Sequence, residues 1–149
     1  MKTDNASPLL SIVIVNYNYG RFLEAAIRSV IDQNTSEVEL IIVDGGSRDE
    51  SVDIIKKYSA KISWWVSEPD KGQSDAFNKG FSHANGKYLT WLNSDDLLVP
   101  DCLRKIIHEF KTHPEKVWSF GISLSHWEDE TYIYLSFFRW VILIGKFYH

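Results

Sequence analysis

The sequence predicts an α/β fold, a mostly parallel sheet flanked by helices, and three observations carry that expectation. Continuous β-branched runs such as Leu9–Val15 and Val38–Val43 read as strands buried on both faces. Stretches with apolar residues at helical spacing follow them. Polar turns rich in Asn, Asp and Gly separate the two kinds of segment. Strands that alternate with helices need crossover connections, and crossovers give parallel neighbours with helices packed on both faces.

In chain order, Leu9–Val15 is the first strand, and it breaks at the polar and aromatic loop Asn16-Tyr17-Asn18-Tyr19-Gly20. Leu23, Ile27, Val30 and Ile31 then mark a helix from Arg21 to about Asp32. Val38–Val43 is the second strand and Asp44-Gly45-Gly46 its turn. Ser47-Arg48-Asp49-Glu50 has the form of a capping box, opening a helix whose inward face is Val52, Ile55 and Tyr58. A third strand, Ile62–Val66, leads into the loop Ser67–Gly72. Phe77, Gly80, Phe81 and Ala84 share one side of a third helix. Gly80 lets that helix lie close to the sheet, and Asn85-Gly86 is expected to end it in a left-handed cap. The fourth strand, Lys87–Leu92, runs straight into Asn93-Ser94-Asp95-Asp96. Pro100 stands where a first helical residue is preorganised. Leu103, Ile106, Ile107 and Phe110 form the stripe of a fourth helix, and His113-Pro114 stops it.

From about Trp118 the pattern weakens. Val117–Gly121 reads as one more strand, His126–Glu130 as a polar segment, and Tyr132–Gly145 as a strongly apolar one. The last is shorter than the roughly 20 residues of a spanning helix and is interrupted by Arg139. It is expected to pack on the domain as a strand or helix, or to stand as an unpaired remnant. All of residues 1–149 are read as a single domain, with 119–149 a divergent or truncated tail.

A chain of 149 residues with 44% hydrophobic content is one globular domain's worth. Its net charge of -4 offers no basic surplus, which argues against nucleic acid as a partner. The single cysteine, Cys102, cannot form a disulfide within the chain and agrees with a reducing compartment. Met1–Pro8 lacks the apolar core of a signal peptide. A cytoplasmic location is therefore expected, with residues 131–145 a contact for the inner face of a membrane or for another chain.

Several nucleotide and nucleophile signatures are missing. There is no G-x-x-x-x-G-K-[ST], no G-x-G-x-x-G and no G-x-S-x-G, which argues against a P-loop, a dinucleotide-binding domain and a nucleophile elbow. The five histidines are scattered, and none pairs with Cys102 or another His at metal-ligand spacing. What remains is the edge where the loops after parallel strands converge. That edge gathers Asn16–Asn18, Asp44, Glu68–Gly72 and Asn93–Asp96. Asp95 and Asp96 suit a hard divalent cation completed by substrate phosphates, and equally suit the N-terminus of the next helix. Asp44 reads either as an acceptor for a nucleobase or ribose or as the first residue of a tight turn, and Asp70 reads equally as turn chemistry. Lys71, Arg21 and Lys79 read as phosphate partners or as solvated cations.

Four segments in order then carry a resemblance. Ser11–Asn18, Val43–Asp49, Ser67–Gly80 and Gly86–Asp96 closely resemble the motifs of the family 2 glycosyltransferases of GT-A fold, over roughly residues 10–118. The resemblance implies that fold, incomplete at the C-terminus. It also implies transfer of a sugar from a nucleotide diphosphate sugar, with UDP the expected nucleotide, to a glycan or lipid-linked acceptor in surface polysaccharide synthesis, with inversion. It places Asn16, Asn18 and Asp44 at the nucleobase and ribose, and adds Asp70, Asn78, Lys79 and Asn93 as substrate-binding residues. The family's D-x-D element falls on Asn93-Ser94-Asp95, so Asp95, supported by Asp96, is expected to hold Mn²⁺ or Mg²⁺. Asn93 departs from that element, because an amide binds metal more weakly than a carboxylate. The general base is expected from a later part of the domain, and no residue here is assigned to it; Glu128, Asp129 and Glu130 lie too early to match. The alternative is a truncated, non-catalytic domain that binds nucleotide or a partner protein.

Overall fold

The computed structural model describes residues 7–115, 123–127, 130–134 and 143–144. The chain runs β1 (Leu10–Asn16), α1 (Gly20–Ile31), β2 (Val38–Asp44), α2 (Ser51–Lys57), a 3-10 turn at Ser59–Lys61, β3 (Trp64–Ser67), α3 (Gln73–Ser82), β4 (Tyr88–Asn93) and α4 (Cys102–Thr112). Three strands follow, β5 (Ser123–Trp127), β6 (Glu130–Tyr134) and β7 (Leu143–Ile144). The main sheet has the order β3-β2-β1-β4-β7. Its first four strands are parallel, and β7 adds antiparallel to the outer side of β4. β5 and β6 pair with each other. The expected parallel α/β architecture is the observed one.

Alternation along the central strands sends side chains into two cores. Leu10, Ile12 and Ile14 of β1 and Leu40 and Ile42 of β2 face Leu23 and Ile27 of α1, Ile55 of α2, and Leu103 and Phe110 of α4. Val13, Val15, Ile41 and Val43 face Ala76 of α3, with Phe77, Phe81 and Trp91 around them. Each fully buried Ile or Leu stabilises the fold by about 2 kcal/mol through area removed from water. α3 lies close because Gly80 has no side chain: a Cβ there would collide with Val13 Cγ1.

Several expected details differ. The capping box does not form: α2 starts at Ser51 and its N-cap, Glu50, makes no side-chain cap bond. The Ser47 hydroxyl serves Asp44 and Asn18 instead, so a stronger acceptor nearby wins it. Asn85-Gly86 is not a left-handed cap: α3 ends at Ser82, and Gly86 is absent from the positive-φ residues. Gly86 is small for another reason, since its Cβ would lie 2.6 Å from the Ser11 backbone nitrogen. Pro100 precedes α4 rather than opening it, and the N-cap is Asp101 at φ 63. Within the polar segment, His126 and Trp127 belong to β5 and Glu130 opens β6. Of the apolar segment Tyr132–Gly145, Tyr132–Tyr134 belong to β6, Leu143 and Ile144 form β7 against β4, and the remainder lies outside the described residues. The strand expected at Val117–Gly121 lies outside the described residues, as do Glu128 and Asp129.

Candidate functional site

Register builds the site before any side chain is considered. Asn16 of β1 lies level with Asp44 of β2, Asp44 with Ser67 of β3, and Val15 with Asn93 of β4. The loops after these four strands surround a cavity of about 690 Å³, into whose lining Asn16, Tyr17, Asp70, Gln73, Asn93 and Asp95 all contribute. The convergence expected from the strand order is therefore present.

Asp44 is the hub behind the cavity. It is 0% exposed and accepts from Asn16 Nδ2 at 2.7 Å, the Ser47 backbone N–H at 2.9 Å, the Ser67 hydroxyl at 2.6 Å and the Ser47 hydroxyl. A carboxylate offers about four lone-pair sites, and here all are filled from within the chain. Asp44 thus ties together the ends of β1, β2 and β3. Asn16, also buried, turns its amide nitrogen to Asp44 and to Ser51 Oγ at 2.9 Å; a carboxylate cannot donate, which fixes that amide's orientation. Asn16 Oδ1 is left buried without a partner among the described residues.

Asn18, at φ 54, donates its backbone N–H to Ser47 Oγ at 2.7 Å and accepts the Arg48 N–H on Oδ1 at 2.8 Å. It clasps the first two loops to each other. Asp49 clips the start of α1 to the start of α2 by accepting from the Gly20 and Ser51 N–H groups. Burial pushes its carboxyl up, but the bonds from Ser51 and Gly20 outweigh that and hold it below the usual range.

The other two loops present groups rather than consume them. Asp70 accepts the Gly72 N–H on Oδ1 at 2.8 Å, with Gly72 at φ 107, where a side chain would strain the backbone. Asn93 accepts from Gln73 Nε2 at 3.3 Å and donates to Asp96 Oδ2 at 2.8 Å. Asp95 is exposed in the cavity lining and makes no hydrogen bond or ion pair among the described residues. Because α4 begins only at Cys102, neither Asp95 nor Asp96 caps it, and the helix-cap reading of this pair falls away.

Four of the expected substrate residues, Asn18, Asp44, Asn78 and Lys79, stand outside the cavity lining. Asn78 is exposed on α3 and outside the cavity lining. Lys79 is engaged with Glu68 at 2.6 Å, a bond that holds its ammonium above the ordinary lysine value. Other contributors went unnamed in the sequence. Tyr17 and Tyr19 line the cavity while 62% and 44% exposed, and the signal was an aromatic pair in a loop directly after a buried strand. Ser47, Ser51 and Ser67 became site residues only through their bonds to Asp44 and Asn16.

No set of three or more His, Cys, Asp or Glu among the described residues could hold a metal ion. One free carboxylate, Asp95, beside a second that is half engaged, Asp96, fits a hard cation that draws its remaining oxygens from a diphosphate and water.

The model of Glycosyl transferase family 2 matches residues 11–148. The chain belongs to this family. A glycosyltransferase of Nostoc sp. is 39% identical over 106 residues, which is 69% of this chain and 33% of that protein. A Bacillus subtilis glycosyltransferase named for teichuronic acid biosynthesis is 36% identical over 124 residues, 80% of this chain and 49% of its own. The chain thus spans about a third to a half of the length of these relatives. Among solved structures, Staphylococcus aureus TarS 1-349 in complex with UDP-GlcNAc superposes with a TM-score of 0.64 at 22% identity, over 70% of this chain and 32% of TarS. The mannosyltransferase PcManGT of Pyrobaculum calidifontis, in complex with GDP-Man and Mn²⁺, superposes with a TM-score of 0.62 at 19% identity, over 70% and 33%. These likenesses establish the GT-A fold for this family 2 glycosyltransferase chain. Among its described residues no helix is long and apolar enough to cross a membrane.

Proposed function

We propose that this chain carries the donor half of an inverting, metal-assisted glycosyltransferase that takes a UDP-sugar and serves surface polysaccharide synthesis. The observation that carries the reading is the free Asp95 carboxylate in the lining of a cavity into which all four parallel strand ends feed. Asp95 would hold Mn²⁺ or Mg²⁺ with Asp96 in support. The cation supplies neutralisation of the charge that develops on a departing nucleoside diphosphate. Asn93 holds Asp96 in place through its amide, and the Asp44 network fixes the loops that face the nucleoside. The complexes of TarS with UDP-GlcNAc and of PcManGT with GDP-Man and Mn²⁺ support a nucleotide-sugar donor and a divalent ion. The name of the Bacillus subtilis relative supports a surface polysaccharide. The acceptor is a glycan or a lipid-linked sugar, met at the cytoplasmic face of a membrane.

The test is calorimetry of UDP with and without Mn²⁺. Wild type should bind only with the ion, and Asp95→Ala should abolish that dependence while leaving the unfolding midpoint unchanged. Equal affinity with and without the ion in wild type would sink the metal reading. The second reading, a nucleotide-binding domain without transfer activity, is motivated by there being no residue assigned as general base among the described residues. Acceptor-dependent release of nucleoside diphosphate from the donor would rule it out.

A further inference from the structure

We infer that Asp70 reads the nucleobase, its Oδ2 accepting a ring N–H, and that Gly45 is what admits that carboxylate to the cavity. The inference rests on the nucleotide-sugar reading above. A Cβ on Gly45 would lie 2.7 Å from Asp70 Oδ2, 3.3 Å from Asp70 Cγ and 3.3 Å from Tyr17 Cδ2. The Asp70 carboxylate from the β3–α3 loop therefore occupies the place of a residue-45 side chain. It does so directly after the strand whose last residue, Asp44, has no acceptor capacity left.

Asp70 is held for such a task. Its Oδ1 is anchored by the Gly72 N–H at 2.8 Å, while Oδ2 accepts nothing among the described residues. The cation on the adjoining helix, Lys79, is taken by Glu68 at 2.6 Å. Next to this open acceptor stands Tyr17, a ring 62% exposed in the same cavity lining, and Pro69 closes the loop beside it. A flat ring beside an anchored carboxylate suits a planar heterocycle that stacks on one and donates to the other.

The carboxylate can only accept. Uracil, thymine and guanine carry hydrogen on the ring nitrogen of their pairing edge, and cytosine and adenine present a lone pair there. Asp70 therefore selects the first group and repels the second. A charge-assisted bond lost, with a lone pair set against a carboxylate, is a discrimination of about tenfold or more.

Calorimetry with UDP and CDP, each in the presence of Mn²⁺, tests this, with GDP and ADP as the purine pair. Wild type should prefer UDP by about tenfold or more. Asp70→Asn keeps an oxygen for the Gly72 N–H and turns a donor toward the base, so the UDP preference should vanish or reverse, with CDP affinity rising. Gly45→Ala should displace the carboxylate and weaken UDP more than CDP. An Asp70→Asn variant that loses UDP and CDP affinity in equal proportion would overturn the inference, since that is the result of a ribose contact or of loop support alone. Absence of binding by every nucleotide to wild type would instead overturn the nucleotide-sugar reading itself, and this inference with it.

Discussion

Strand β2 carries a buried carboxylate near each end, and the two ends have different fates. At the amino end Glu39, 8% exposed, accepts from Ser11 Oγ, the Asn85 N–H and the Gly86 N–H, and so staples the approach to β4 onto β1 and β2. At the carboxyl end Asp44 does the same for the ends of β1, β2 and β3. Both are saturated by donors, which is what makes a buried charge tolerable. Yet the cavity described above lies at the Asp44 end, against Asn16 and Gly45. The saturated acid is scaffold at both ends, and chemistry becomes available where further acids, Asp70 and Asp95, stand with oxygens to spare.

The largest effect that could break this comparison is loss of either hub. Asp44→Ala strands donors from Asn16, Ser47 and Ser67 around a buried position and should cost about 3 kcal/mol in urea unfolding, with UDP binding lost as the loops part. Glu39→Ala should cost about 2 to 3 kcal/mol, while the folded protein keeps wild-type UDP affinity by calorimetry at low temperature. If Glu39→Ala weakened UDP as much as Asp44→Ala, the two ends would not differ in role.

A smaller pair of substitutions sharpens the same contrast. Gly86→Ala places a Cβ against the Ser11 backbone nitrogen at 2.6 Å, an obstacle that cannot swing aside, and should cost about 2 kcal/mol. Gly45→Ala meets a loop side chain instead, Asp70 Oδ2 at 2.7 Å, and should cost less than about 1 kcal/mol while altering nucleotide affinity. Thermal melts and calorimetry on both variants would show whether stability and binding divide this way.

The smallest effect belongs to a carboxylate at the surface. Glu24 is held below the usual glutamate range by the hydrogen bond from Lys57, then by that from Tyr58, with burial opposing. A lowered folded value means the contribution is present above the unfolded value of about 4.3 and is lost as pH falls through the folded one. The Tm advantage of wild type over Glu24→Gln should therefore be modest at neutral pH and vanish once acidification has carried the pH through the lowered folded value. A constant difference between neutral and acid pH would show that the pairing with Lys57 and Tyr58 contributes nothing.

Where the sequence was legible, the signal was local. β1 and β2 are written in β-branched runs, and Phe77, Gly80 and Phe81 at helical spacing foretold how α3 meets the sheet. The carboxyl-edge gathering followed from strand order alone. What failed was also local in form but decided at a distance. Ser47 with Glu50 has the spacing of a capping box, and only the buried Asp44 explains why the hydroxyl is used elsewhere. Gly86 has the look of a helix terminator, and only its approach to Ser11 explains its size. The relation of Gly45 to Asp70 joins two loops 25 residues apart in number (70 − 45), and no pattern within either loop encodes it.

The late start of α4 has an electrostatic consequence. A carboxylate at a helix N-terminus is already solvated by backbone N–H groups and by the positive end of the macrodipole, which lowers its attraction for a cation. Asp95 and Asp96 follow β4 directly, whereas the helix opens at Cys102 behind Asp101. Their charge is left unspent by the helix. Shortening the connection so that α4 began at Asp96 would preserve both acids and still lower the pull on a divalent ion.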